Sequence, residues 1–291
     1  MASDQNEIDA LRGRIQHLEA QSGRPERWHR RLFSTALSVI AVLFSLASTG
    51  FAYLGTYQRN IQDAQTQLRS LIVYMNDAAK RNIDILRSAS YNAAEKSAFS
   101  AALNKENLVY AAQAERVVGY LTSPHIETLF GQQISASELS NIANNFYNSS
   151  LTDKSLDFYR MAVRYSRNYS EYSDAQRGYA LLLASQQPAG IASMDWRGTW
   201  RGEFQKALAV FDHYPAPNQF TQVYIQALTE LAWATAEMGV GDCGQAQAHV
   251  LRAKAQADQQ HPGAKDNPLW MTFVQQLEQA NLQVSSACLR R

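Results

Sequence analysis

The stretch "LSNIANNFYNSSLTDKSLDFYRMAVRYS", residues 139–166, decides the architecture. Its first half carries Leu139, Ile142, Ala143 and Phe146, and its second half carries Ser155, Tyr159 and Ala162. Spacings of three and four place each set on one face of a helix. The polar run 148–153 separates the two as a turn. Small side chains at Ala143, Ser155 and Ala162 let the paired helices approach closely, and Phe146 and Tyr159 fill the space between them. Such a pair leaves apolar surface that only a neighbouring pair can cover, so the pattern predicts stacking rather than an isolated hairpin.

These offsets resemble the tetratricopeptide repeat, a helix–turn–helix unit of about 34 residues. Ser155 stands where that family uses alanine, and Arg167 where it uses a terminal proline. A second match covers residues 230–258, with Trp233 and Ala234 in the first helix, Gly241-Asp242 at the turn, and Ala246, Val250 and Ala253 in the second. Glu237 replaces the aromatic of the pattern there. A degraded unit lies between, with Tyr179, Ala180 and Leu183 in its first helix, Ala207 and Phe211 in its second, and an insertion at 187–201. The resemblance spans 136–258 in three units, and helices around 94–130 suit a further divergent one. An apolar helix over 268–287 then caps the stack.

The resemblance implies a concave surface, lined by first helices, that holds an extended peptide or a partner's helix. By offset the lining residues are Ser140, Asn144 and Tyr147 from the first unit, Arg177 and Leu181 from the second, and Leu231 and Thr235 from the third. Members that clamp a C-terminal carboxylate use an Asn with basic residues. Asn144 and Arg177 suit that chemistry because an amide and a guanidinium both donate to carboxylate oxygens. Ser140 stands where the clamp has a lysine. Within the insertion, Trp196 and Trp200 are one turn apart if helical, as are Arg197 and Arg201. Aromatics and arginines dominate interaction hot spots, so this quartet joins the partner-binding candidates; the competing reading folds both tryptophans between units.

Residues 32–57, "LFSTALSVIAVLFSLASTGFAYLGTY", carry no charge. A membrane-spanning helix needs roughly 20 apolar residues. A signal peptide has an apolar region of about 7–15 residues followed by a small-x-small site, and this run is longer, with a leader of 31 residues and no A-x-A after it. The reading is an uncleaved anchor, its hydroxyls bonded back to carbonyls one turn earlier. Six arginines (12, 14, 24, 27, 30 and 31) lie within the twenty residues before the run, against Arg59 and Arg69 in the twenty after. The positive-inside rule then keeps the N-terminus cytoplasmic and exports the rest: to the periplasm from a bacterial inner membrane, or to the lumen or exterior in a eukaryote.

Ile8, Leu11, Ile15 and Leu18 form a two-heptad seam, ending at Arg24-Pro25, that suits either a homodimer or a frayed amphipathic helix. From Ile61 through Ala64, Leu68, Leu71, Met75, Ala78, Asn82, Ile85 and Ala89 the same spacing continues, and it either seats a partner helix or folds back on the globular part. A second helix is predicted over 94–121.

Signals of catalysis are absent. Net charge is +1, which gives no footprint for nucleic acid. "GVGDCG", 239–244, matches a dinucleotide fingerprint but lacks the preceding strand, and it reads as a turn. Six scattered histidines and two cysteines form no metal-ligand pattern. Neither a metal nor a cofactor is expected. Cys243 begins one helix and Cys288 ends the next, so antiparallel packing predicts a disulfide, against two separate buried thiols.

The sequence therefore predicts an all-α chain: a cytoplasmic segment (1–31), a transmembrane helix (32–57), a helical stalk (58–121) and a tetratricopeptide-like solenoid with a capping helix (122–291). The expected function is a membrane-anchored, non-enzymatic scaffold for protein or peptide partners. A single-pass signal transducer and an anchored cell-wall hydrolase are the alternatives.

Overall fold

The computed structural model describes residues 2–187, 199–258 and 268–289. Among them every regular element is helical: α1 (Ala2–Arg87), α2 (Ala93–Leu121), α3 (Pro124–Phe130), α4 (Ala136–Asn148), α5 (Thr152–Tyr165), α6 (Tyr169–Ser185), α7 (Thr199–Leu208) with a 3₁₀ turn (Ala209–Asp212), α8 (Gln219–Val240), α9 (Cys243–Asp258) and α10 (Pro268–Leu289). The chain divides into two compact units, Met1–Gln62 and Asp63–Arg291.

The first unit is the N-terminal part of α1, and the rest of that helix belongs to the second unit. Helix continues through Arg24-Pro25, where the sequence predicted a stop. α1 is long and apolar enough to cross a membrane, and the apolar window that begins at Leu37 is wholly exposed. Phe44 and Phe51 are 73% and 76% exposed, an arrangement that is unfavourable in water and neutral in lipid. Thr49 and Thr56 donate to the carbonyls of Ser45 and Ala52 at 2.8 and 2.9 Å, so neither hydroxyl is left unsatisfied.

In the second unit, local chemistry sets the helix boundaries. α2 and α4 each begin with a capping box: Asn92 accepts from the Glu95 N–H at 3.0 Å and Glu95 accepts from the Asn92 N–H at 2.9 Å, and Ser135 and Glu138 repeat the exchange at 3.2 and 2.9 Å. Asn168 and Asn218 cap α6 and α8. Gly241 ends α8 at φ 89°, in the left-handed region. The Asp242 N–H then reaches the Glu237 carbonyl at 2.9 Å and the Gly241 N–H reaches Met238 at 3.1 Å, which closes a Schellman turn. This turn accounts for Gly241 of "GVGDCG".

Helices pack as consecutive pairs: α4 with α5, α6 with α7, and α8 with α9, while α10 lies against α8 and α9. α4 and α5 close over Leu139, Ile142, Ala143 and Phe146, with the rings of Phe146 and Phe158 5.1 Å apart. Ser155, in the alanine position, donates to the Ala143 carbonyl at 2.7 Å, so its buried hydroxyl is satisfied. The second pair gathers Ala180, Ala184, Trp200 and Phe204 against Trp233, with Phe204 and Trp233 stacked at 5.4 Å. The third gathers Leu231, Ala234, Val250 and Ala253 against Trp270 and Phe273 of α10. A disulfide joins Cys243 to Cys288 and ties the start of α9 to the end of α10.

The stripe after residue 63 folds back rather than waiting for a partner. Leu68, Leu71, Met75 and Ala78 are buried. Gln65 donates to the Gln133 carbonyl at 2.8 Å, Arg69 pairs with Glu138 at 3.1 Å, and Asn145 donates to Asn76 at 3.0 Å. Asn82 accepts from Ser100 of α2 at 2.6 Å, so its partner is within the chain. Residues 63–121, within the 58–121 segment expected as a stalk, belong to the same compact unit as the helix pairs.

Candidate binding cavity

The first helices of the three pairs, α4, α6 and α8, share one face of the second unit, and a cavity of about 500 Å³ opens there, within the roughly 300–1,000 Å³ span of ligand sites. Four of the sequence candidates line it: Asn144 and Tyr147 from α4, Leu181 from α6 and Thr235 from α8. The helical offsets placed them together because residues one turn apart on packed helices share a face.

Two further residues shape the wall. Tyr159 reaches in from α5 and donates its hydroxyl to Asn144 Oδ1 at 2.6 Å. Burial pushes the Tyr159 hydroxyl up to about 12, so it stays a neutral donor at ordinary pH. Its ring lies directly on Gly178 of α6, where any Cβ would collide with it. Leu181, Leu182 and Ala236 add apolar surface, while Ser185 and Thr235 hold hydroxyls bonded back to the carbonyls of Leu182 and Leu231 at 2.8 and 3.0 Å.

Other candidates are elsewhere. Arg177 does not meet Asn144 in a carboxylate clamp. Its guanidinium pairs with Asp174 and donates to Ser173 at 3.1 Å and Thr229 at 3.3 Å. Burial lowers Arg177 and raises Asp174 despite their mutual attraction, the guanidinium being enclosed while the Asp174 side chain stays 57% exposed. Leu231 is 8% exposed and belongs to the core under α10. Trp200 is 1% exposed, with its indole N–H on Gln187 at 2.9 Å; it is a core residue, not a binding anchor. Arg201 is turned to Glu237 at 2.7 Å and Asp242 at 3.3 Å. Trp196 and Arg197 lie outside the described residues.

The sequence reading missed a buried polar chain in α8 and α9. Glu237, 1% exposed, accepts from Arg201 and from the Trp233 indole at 2.9 Å. The Trp233 ring stacks on His249 at 4.1 Å, and His249 Nδ1 lies 2.5 Å from Glu230, which Arg252 also contacts at 3.2 Å. Glu237 at an aromatic position was the available signal: a carboxylate there demands a cation, and Arg201 supplies it. Glu230, Glu237 and His249 of this chain are buried in the core, and Arg252 carries its end to the surface. No cluster of His, Cys, Asp and Glu that could hold a metal ion occurs among the described residues.

A larger groove of about 920 Å³ runs between α9 and α10, bordered by exposed Leu251 and Met271. It joins two neighbouring helices only. The smaller cavity combines side chains from three successive pairs and presents hydrogen-bonding groups beside apolar ones, which makes it the stronger candidate. No protein-family model, curated protein or solved structure matches the chain.

Proposed function

We propose that this protein is a membrane-anchored scaffold of tetratricopeptide-like helix pairs, capped by α10, whose concave face holds a polypeptide partner outside the cytoplasm. The observation that carries the reading is the convergence of Asn144, Tyr147, Leu181 and Thr235 on one cavity. Repeat folds of this kind use the face shared by successive first helices as an extended binding surface. The exposed apolar window of α1 supports the anchor. Six arginines before the span and two after it support a cytoplasmic N-terminus and a periplasmic C-terminal domain in a bacterium. The Cys243–Cys288 bond fits an oxidising compartment.

A photoreactive residue tests this in intact membranes. Placed at Tyr147 or Thr235 of the full chain it should yield a discrete crosslinked protein adduct, and at Asp157, exposed on α5 and outside the cavity, it should not. Equal adducts at all three positions, or none, would count against the cavity as a partner site.

A further inference from the structure

The hairpin of α1 and α2 is held to the helix pairs along only part of its length. Asn145 of α4 donates to Asn76 at 3.0 Å, and Asn107 donates to Ser149 at 2.8 Å. Ala78 is the last buried residue of α1, and Asn107 is the first of α2. Between them, over residues 79–106, no residue is buried. The polar contacts of this arm stay inside the hairpin. Arg81 meets Asp77 and Glu106 at 3.0 and 3.4 Å, Ser100 donates to Asn82 at 2.6 Å, and Lys96 donates to the Leu86 carbonyl at 3.0 Å. Yet the arm carries large apolar side chains. Ile83, Leu86, Tyr91 and Phe99 are 48%, 53%, 40% and 46% exposed. A groove of about 460 Å³ between the two helices is lined in part by Ile85, Phe99, Ala102 and Leu103. A helix pair is a single layer, and a stable helical unit buries its apolar side chains against a second one.

Two observations select a second copy of this chain as that layer. Residues 77–106 hold five basic and four acidic side chains. A symmetric contact sets a surface against itself, so a surface of one sign would repel its copy, and this balanced one does not. In addition, α1 carries both this arm and the exposed apolar window that begins at Leu37. Copies anchored in one membrane therefore offer their arms to each other at a high effective concentration, which a soluble partner lacks. We infer that the arm is a self-association surface: two chains pack their hairpins together around Phe99 as a four-helix bundle. The inference uses the membrane anchor of the reading above and none of its cavity.

The test is disulfide crosslinking of the full chain in membranes. Cys243 and Cys288 are bonded to each other, so an added cysteine supplies the free thiol. Ala102→Cys, exposed on the arm, should give a disulfide-linked dimer of this chain on mild oxidation, and Asp157→Cys, exposed on α5, should not. Adding Phe99→Asp should lower the Ala102→Cys dimer yield by about tenfold, because it sets two carboxylates against each other in an apolar contact. Adding Phe99→Leu should keep the yield. Phe99 is 46% exposed, so both variants should keep the folded domain, read by resistance to limited proteolysis. Absence of a dimer, an adduct to a different protein in its place, or a dimer that Phe99→Asp leaves unchanged would overturn the inference. Sedimentation of the chain with membranes reads the anchor separately, so a failed dimer and a failed anchor are told apart.

Discussion

The Tyr159 ring rests against the backbone of Gly178 so closely that a Cβ on Gly178 would lie 2.3 Å from Tyr159 Cε1 and 2.8 Å from its hydroxyl oxygen. The contact locks α5 to α6 and sets the direction of the Tyr159–Asn144 hydrogen bond. Gly178→Ala should therefore destabilise the domain by about 1–3 kcal/mol through overpacking. Thermal unfolding of the variant checks this, and Gly178→Ala combined with Tyr159→Leu should recover part of the loss because the two sites share one contact. A neutral Gly178→Ala variant would show that the ring has room to move.

Tyr159 also predicts an alkaline dependence. Its folded value, about 12, lies above the ordinary 10, so the native state holds the proton more tightly than the unfolded chain. The associated stability is complete below pH 10 and is lost as pH rises through 12, on the order of 3 kcal/mol in all. Tyr165, raised to about 12 by burial and by its bond to Glu127, slopes the same way. Urea unfolding at pH 9 to 12 should show a shallower decline for Tyr159→Phe than for wild type. Identical declines would remove Tyr159 from the account.

Glu237 is buried and satisfied by Arg201 and Trp233. Arg201→Met should cost about 3 kcal/mol by leaving the carboxylate without its cation. Arg201→Met with Glu237→Leu should restore most of that, because apolar replacement of both partners removes the desolvation penalty. Denaturant unfolding of the single and double variants decides it; additive losses would contradict a paired role.

How far could these features be read in advance? The helix pairs could, because Leu139–Ala143–Phe146 and Ala246–Val250–Ala253 repeat at helical spacing and buried positions follow that spacing directly. The capping boxes at Asn92-Glu95 and Ser135-Glu138 are equally local. The cavity was legible in part: Asn144, Tyr147, Leu181 and Thr235 follow from offsets alone. Arg177 and Trp200 did not. The fate of a guanidinium depends on which carboxylate or hydroxyl reaches it, here Asp174 and Thr229, and no periodicity encodes that competition. Trp200 looked like a hot spot by residue type, but a large apolar ring next to an unfilled core is drawn inward unless something holds it out. Continuity of α1 through Arg24-Pro25 was also misjudged. Proline disfavours the helical conformation of the residue before it, but here the helix continues.

The Cys243–Cys288 bond closes a separation of 45 residues and joins α10 to α9. By chain entropy such a loop stabilises by about 4 kcal/mol, so Cys243→Ser, or reduction, should lower the melting temperature and loosen α10 first. Hydrogen exchange of α10 in the reduced full chain reads this directly. Unchanged protection would mean that the apolar contacts of Trp270 and Phe273 suffice alone.

Everything proposed for the cavity requires it to face away from the cytoplasm. The most direct measurement is labelling of Thr235→Cys in intact cells with a membrane-impermeant maleimide, after permeabilising any outer envelope. Wild type supplies the control, since its two cysteines are bonded to each other. The account predicts that Thr235→Cys is labelled without disruption of the membrane carrying α1 and that wild type is not. Labelling of Thr235→Cys only after that membrane is broken would contradict it.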